Sequence, residues 1–333
     1  MFTSRLNVHD KRVLIECFDS RVKSDLDHDF NYFLNKVFDS KAEEHFHLTV
    51  LPLNRRPRFW IPLLKTKRSI LYASTPAVRR ICFFNSAWLE YRFNEKKCTI
   101  YCDDPISAYE AVYLVLLSYL GEALGLGGMH RIHGMGFNYK GKGGIVLARS
   151  GGGKSTLALE LLKSGDFRLI SDDTPVLNSN GEMLAFPQRI ALSEKPSVDV
   201  KFLRRFKRFH HGEKYVVGSE YFANQIAGSS KVDWLILLSE HALAGDSNES
   251  GTKEVSRVKV IWPLIKWLVV GYETPQIWEL LLRPTREEFK NQTGILVGRL
   301  KTAAKLLMKS RVAVVRRGPT PDVTAERLTK SLL

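Results

Sequence analysis

Apolar and polar positions alternate in short runs through the first hundred residues, a period that predicts strands rather than helices. His47–Leu53, Ser69–Ala73, Arg80–Asn85, Trp88–Phe93 and Lys97–Tyr101 each read as a strand. Asp103-Asp104-Pro105-Ile106-Ser107 then carries the chemistry of a helix start, with acidic residues and a proline at the first turn. The helix that follows, from about Ser107 to Gly125, is apolar around most of its circumference, which places it in the interior. Past Gly127-Gly128 the pattern changes. Gly136–Tyr139 and Gly144–Leu147 flank a turn as a hairpin, followed by a glycine-rich loop, a helix over Lys154–Ser164 and a strand at Phe167–Ser171. Thr174–Leu177 and Met183–Phe186 predict a second hairpin, and Trp234–Leu238 a buried strand. His241–Glu254 is polar and reads as a mobile loop. The rest is mostly helical, with a strand near Val312–Arg316 and a last helix from about Asp322. The expected division is an N-terminal α/β region over 1–105 and a second domain over 106–333.

Composition narrows the class without choosing the chemistry. The chain has 333 residues, 44% hydrophobic and 26% charged, which suits a globular core and excludes a disordered, collagenous or coiled-coil protein. Lys and Arg total 50 against 35 for Asp and Glu, a net charge of +15 that favours an anionic partner such as a nucleotide, an acidic peptide, a nucleic acid or a membrane surface. Four cysteines are too few to staple a chain this long. Cys98 and Cys102 lack a second close pair for zinc, so they read as reduced thiols. The N-terminus shows no basic region leading into a long apolar run, so no secretory signal is expected. The apolar stretches 111–128 and 260–272, interrupted by Glu122 and by Pro263 and Lys266, read as too short to span a bilayer. A cytoplasmic protein without a membrane span is the expectation.

The informative segment is Ala148-Arg149-Ser150-Gly151-Gly152-Gly153-Lys154-Ser155, which fits the spacing of a phosphate loop with alanine at the first position. Adjacent glycines let successive backbone N–H groups turn towards phosphate oxygens, and the helix that opens at Lys154 aims its positive end at the same anion. Lys154 would reach the β- and γ-phosphates of ATP, with Ser150, Gly151, Gly152, Gly153, Ser155 and Thr156 completing the cradle. A strand ending in Asp172-Asp173 comes one helix later, early for the Mg²⁺ aspartate of ordinary phosphate-loop ATPases. Two adjacent acids can divide two tasks, one holding Mg²⁺ and the other accepting a proton from an attacking hydroxyl. His133, in Arg131-Ile132-His133-Gly134, precedes the first hairpin and by itself carries little weight.

His133-Gly134, a hairpin, the Ser150–Ser155 loop, one helix and then Asp172-Asp173 together resemble the catalytic domain of HPr serine kinase/phosphorylase, related to phosphoenolpyruvate carboxykinase. The resemblance covers about residues 105–190. It implies an α/β fold with a mixed central sheet of that P-loop type and a smaller N-terminal α/β region. It also implies an ATP- and Mg²⁺-dependent kinase acting on a hydroxyl. In that family the first acid is the general base, assisted by the histidine, so catalysis falls to Asp172, His133 and Lys154, and Mg²⁺ to Ser155 and Asp173. The downstream Glu and Arg of the family have only candidates here: Glu182, Glu240 and, best, Arg189. The closer resemblance is to kinases of peptide-modifying gene sets such as those acting on lasso-peptide precursors. Oligomers are common in the family, so a homo-oligomer is expected on that ground alone.

Lys201–Lys214 is strongly basic with interleaved Phe. The spacing of Phe202, Phe206 and Phe209 suits an amphipathic helix, while Arg204, Arg205, Lys207 and Arg208 could dock an acidic or seryl peptide. Arg55–Arg68 is a weaker basic stretch, and no nucleic-acid motif is visible. The reading is therefore a kinase of serine in a peptide or small protein, with a small-molecule kinase or a non-catalytic nucleotide sensor as alternatives.

Overall fold

Alternation becomes pairing within the first seventeen residues, which the sequence reading had left unassigned. β1 (Phe2–Val8) and β2 (Lys11–Cys17) form an antiparallel hairpin. Leu6, Val8, Val13, Ile15 and Cys17, every second residue, face the core. His9 and Asp10 both take left-handed backbone angles in the turn, the twist that suits a two-residue hairpin. The computed structural model describes the chain except residues 35–44, 58–61, 66–68, 73–74, 84, 209–211, 241–250 and 278–284, and for 64, 207 and 208 only the backbone.

Packing gathers the chain into two units, the first made of 1–124, 197–216 and 275–292, the second of 125–196, 217–274 and 293–333. In the first unit α1 (Ser20–Asp29) follows the hairpin. The strands β3 (Phe46–Leu51), β4 (Pro62–Lys65), β5 (Ser69–Tyr72), β6 (Val78–Phe83), β7 (Ala87–Arg92) and β8 (Lys97–Tyr101) come next. They build an eight-stranded mixed sheet in the order β1-β2-β3-β8-β7-β6-β5-β4. The N-terminal region, expected to be the smaller, thus carries the widest sheet among the described residues.

α2 (Pro105–Leu126) starts where the sequence places it, and Val112, Leu116 and Leu120 are fully buried, each contributing about 2 kcal/mol. Phe46 on β3 stacks on Tyr119 of α2 at 4.2 Å. Among the described residues α2 alone has the length and hydropathy to cross a membrane, against the sequence expectation, yet 61% of that window is buried inside the protein. All four cysteines are unpaired and buried, and burial pushes the Cys82 thiol up to about 11.

The second unit opens with β9 (His130–Arg131), β10 (Met135–Tyr139), β11 (Lys142–Leu147), α3 (Lys154–Leu162), β12 (Phe167–Ser171), β13 (Val176–Leu177), β14 (Glu182–Leu184) and β15 (Ile190–Leu192). Both expected hairpins form. Between the segments of this unit, the 197–216 stretch of the first unit carries β16 (Leu203–Arg208) and most of β17 (Gly212–Val217), which replace the amphipathic helix expected over Lys201–Lys214. In a strand Phe206 points to one face, where it meets Tyr109 edge-on at 4.8 Å, so this packing overrides the helical spacing of the Phe residues. Arg204 approaches Asp25 at 3.5 Å and Arg205 lies 5.8 Å from the Tyr215 ring. The Lys207 and Arg208 side chains and Phe209 lie outside the described residues.

Next come β18 (Ser229–Lys231), β19 (Trp234–Ser239), β20 (Thr252–Glu254), α4 (Val258–Leu264), α5 (Arg286–Lys309), β21 (Arg311–Arg316) and α6 (Pro321–Leu332). β20 pairs with β21, so the end of the expected 241–254 loop is a strand, and 241–250 lies outside the described residues. Six strands form a mixed sheet, β12-β10-β11-β19-β21-β20, and four more a second, β18-β14-β13-β9. The core between them includes Ile132, Ile145, Ile170, Leu235, Leu268 and Leu306. The architecture is α/β with several mixed sheets.

Candidate active site

Three short segments are stitched together at one end of the strands of the six-stranded sheet. β12 runs antiparallel to β10 and β10 antiparallel to β11, so the C-terminal ends of β12 and β11 lie at the same end of the sheet. β11 delivers the glycine loop there, and β12 delivers Asp172 and Asp173. Ile132 N donates to Pro175 O at 3.1 Å and Gly134 N to Asp173 O at 2.9 Å, which fixes His133 beside the acid pair. Gly134 is required at this join, because a Cβ there would stand 2.9 Å from the Val146 carbonyl. The His-Gly pair is therefore one device, a side chain and the close backbone approach that aims it.

In the loop, Gly151 and Gly153 adopt φ of +78° and +87°, conformations that other residues rarely take. α3 then starts at Lys154 with no side chain capping its first turn. Lys154 is buried and spends its three donors locally. Its Nζ donates to Ala148 O at 2.8 Å and Arg149 O at 3.1 Å, and lies 2.9 Å from His133 Nε2. Ser155 Oγ donates to Asp172 Oδ2 at 2.8 Å. Asp173, with its side chain 45% exposed, lies 3.3 Å from His133 Nδ1. That approach is a close contact rather than a hydrogen bond, because Nδ1 makes no aligned hydrogen bond among the described residues. The sequence reading grouped Ser155 with Asp173 and His133 with Asp172; the contacts run the other way.

Burial holds His133 below its ordinary value, opposed by Asp173, and leaves the imidazole neutral. Its Nε2 lies between Lys154 Nζ and Glu273 Oε2, and its Nδ1 faces Asp173. Burial also lowers Lys154, while Asp173, Asp172 and Glu273 pull the other way. The site thus brings a histidine and a lysine against three carboxylates, Asp172, Asp173 and Glu273, of which Asp173 is the most exposed.

No protein-family model matches the chain, and no curated protein matches it significantly. Among solved structures, the HPr(Ser) kinase/phosphatase from Coxiella burnetii is similar at 17% identity, covering 51% of this chain and 97% of that one, with a TM-score of 0.24. At that score the likeness is a weak structural relation and assigns no chemistry to this chain.

Glu273 is the site residue that sequence reasoning missed. Its Oε2 accepts from Ser150 N at 2.9 Å and lies 3.2 Å from His133 Nε2. Its backbone sits at φ +64°, a strained angle for a glutamate, just after a π turn at Ile265–Val269. Pro263 inside α4 precedes that turn, whose Trp267 carbonyl accepts from His133 N at 3.3 Å. Nothing short-range marks Glu273, which lies 123 residues from Ser150. Of the other candidates, Glu240 pairs with Arg149 at 2.6 Å, beside the loop. Glu182 bonds Asn178 at 3.1 Å in its own hairpin. Arg189 is buried just ahead of β15, a strand that packs on α3, and takes part in none of the contacts above.

Proposed function

We propose that the protein is an ATP- and Mg²⁺-dependent phosphotransferase of the phosphate-loop type, which moves the γ-phosphoryl group to a hydroxyl, the serine of a peptide or small protein. One observation carries this reading. Lys154, Ser155, Asp172, Asp173 and His133, drawn from three separate segments, meet at distances of 2.8–3.3 Å. Phosphoryl transfer needs little beyond such positioning and charge stabilisation.

The residues fit both cofactors. Among the described residues no cluster of three or more His, Cys, Asp or Glu forms a ready cation cage. Mg²⁺ beside phosphate needs none, since one or two protein oxygens with waters and phosphate oxygens complete its shell. Ser155 Oγ and Asp172 Oδ2 are hard oxygens, already adjacent, that would hold it. When bound, Mg-ATP supplies the phosphoryl donor and the neutralisation of its charge. Lys154 would exchange one of its loop-carbonyl bonds for a phosphate oxygen, and the loop amides would help to hold the remaining phosphate oxygens. Asp173 accepts the proton of the attacking hydroxyl, steadied by the neutral His133. The roles expected for the two acids are thereby exchanged.

Transfer of labelled γ-phosphate from Mg-ATP into a peptide pool tests the reading. Label on seryl peptides that disappears with Lys154→Ala and Asp173→Asn supports it. Calorimetric ATP binding with no label on any peptide or metabolite acceptor overturns it in favour of a nucleotide sensor.

A further inference from the structure

We infer that the outer face of α4 and α5 is a docking surface for an anionic lipid bilayer, with Trp262 entering the lipid and the flanking cations meeting its headgroups. This surface uses no residue of the proposed phosphate site. Residues 255–272 and 293–309 hold seven lysines and arginines and no aspartate or glutamate, although the chain has 35 acids. The apolar residues of these segments are too many for one face. In α4, Val260 and Leu264 turn inwards, while Val258, Ile261 and Trp262, spaced i, i+3 and i+4, stand on the opposite face. All three are exposed, Trp262 to 70%. α5 repeats the arrangement, with Ile295, Ala303 and Leu306 buried and Leu296, Val297 and Leu300 facing out. Joining a core takes one apolar face, and each of these helices has two.

The two outer faces adjoin. Leu264 and Trp267 share a core with Ala303 and Leu306. Arg299 of α5 donates to Val269 O at 3.1 Å, one residue before the exposed Val270. Tyr272, also exposed, lies with its ring 4.4 Å from Lys266 Nζ and carries the surface to within one residue of Glu273. Arg257 and Lys259 follow the turn of the helix to either side of Val258, each about 100° away, and Lys301 flanks the outer face of α5. These three cations are exposed, and none makes an ion pair among the described residues. An aromatic anchor among aliphatic side chains, rimmed by cations without carboxylates, matches the layers of an anionic bilayer. Phosphate headgroups take the cations, and the acyl boundary takes Trp262 and Leu300. Two convex helix flanks suit a fluid boundary, which needs no matching groove.

Flotation of the whole chain with vesicles of equal parts phosphatidylglycerol and phosphatidylcholine tests the surface. The wild type is expected to float with these and to stay behind with phosphatidylcholine alone. Trp262→Ser and Lys259→Glu are each expected to weaken binding about tenfold. Brominated acyl chains in the same vesicles are expected to quench the tryptophan emission of the wild type, and Trp262→Phe to lose most of that quenching. Flotation unchanged in Trp262→Ser would reduce the attraction to the net charge of +15 and overturn the surface, as would a wild type that does not float. Quenching that persists in Trp262→Phe would put another part of the chain in the lipid and overturn it too. A surface for an acidic protein would give charge-driven flotation without quenching, which overturns the lipid reading.

Discussion

Among the strands that lead straight into a helix, β8 and β11 finish the helix start in opposite ways. After β8, Asp104 precedes α2, and its carboxylate accepts from Ser107 N at 2.9 Å and from Ser107 Oγ at 2.6 Å. The protein thus satisfies the open amides of α2 with its own anion. After β11, three glycines precede α3, and no side chain of the loop caps its first turn. The anion that approaches there, Glu273, reaches the loop amide of Ser150 from a distant part of the chain. A helix start closed by its neighbour is structural. On the proposed function, one left to a distant carboxylate on a strained backbone would exchange that carboxylate for a phosphate.

The largest effect that tests this contrast is on transfer. Asp173→Asn is expected to lower phosphoryl transfer about 1,000-fold while Mg-ATP still binds, whereas Asp104→Ala leaves transfer unchanged. Equal loss in both, measured as labelled product per enzyme, would break the distinction. Acid comes next. His130 is buried beside Arg299, and burial first, then that charge, lowers it to about 4. His133 is lowered as well. Each binds its proton more readily in the unfolded chain, so their share of stability is present above about pH 6.5 and is lost as pH falls through the folded value. For His130 the loss reaches about 3 kcal/mol, read as a falling urea midpoint between pH 7 and pH 4 that flattens in His130→Gln.

Glu273→Gln removes the charge that competes with phosphate for Ser150 N and is expected to tighten Mg-ATP about tenfold. Weaker binding would instead make Glu273 a support of the loop. The smallest effect is on the capped helix. Asp104→Ala should cost about 1 kcal/mol, seen in the denaturation midpoint, with ATP affinity untouched.

What could be read in advance follows from range along the chain. The glycine loop, the acid pair and the hairpin between His133 and Ala148 lie in one continuous stretch, and each carries a local chemical reason. The limits of β8 and β12 match the sequence reading residue for residue. β1 and β2 were missed because Arg5, Lys11, Arg12 and Glu16 obscure the alternation of Leu6, Val8, Val13 and Ile15. The Lys201–Lys214 helix failed because Phe206 finds its partner, Tyr109, far away in sequence. Glu273 and the crossed pairing of the two acids were out of reach for the same reason, since both depend on segments that meet only after folding. The expected homo-oligomer and peptide docking remain expectations of the sequence.

The π turn at Ile265–Val269 makes part of the site a matter of counting. A helix turns about 100° for each residue, so the phase of everything after the turn depends on the number of residues within it. Val270 N reaches back to Ile265 O at 2.9 Å, five residues rather than four. Removing one residue there would leave every side chain of the site chemically intact. It would still swing the chain that carries Glu273 about a quarter of a turn relative to Trp267. The chain length of this segment is as much a site property as any carboxylate, and a single deletion would act on it like a substitution.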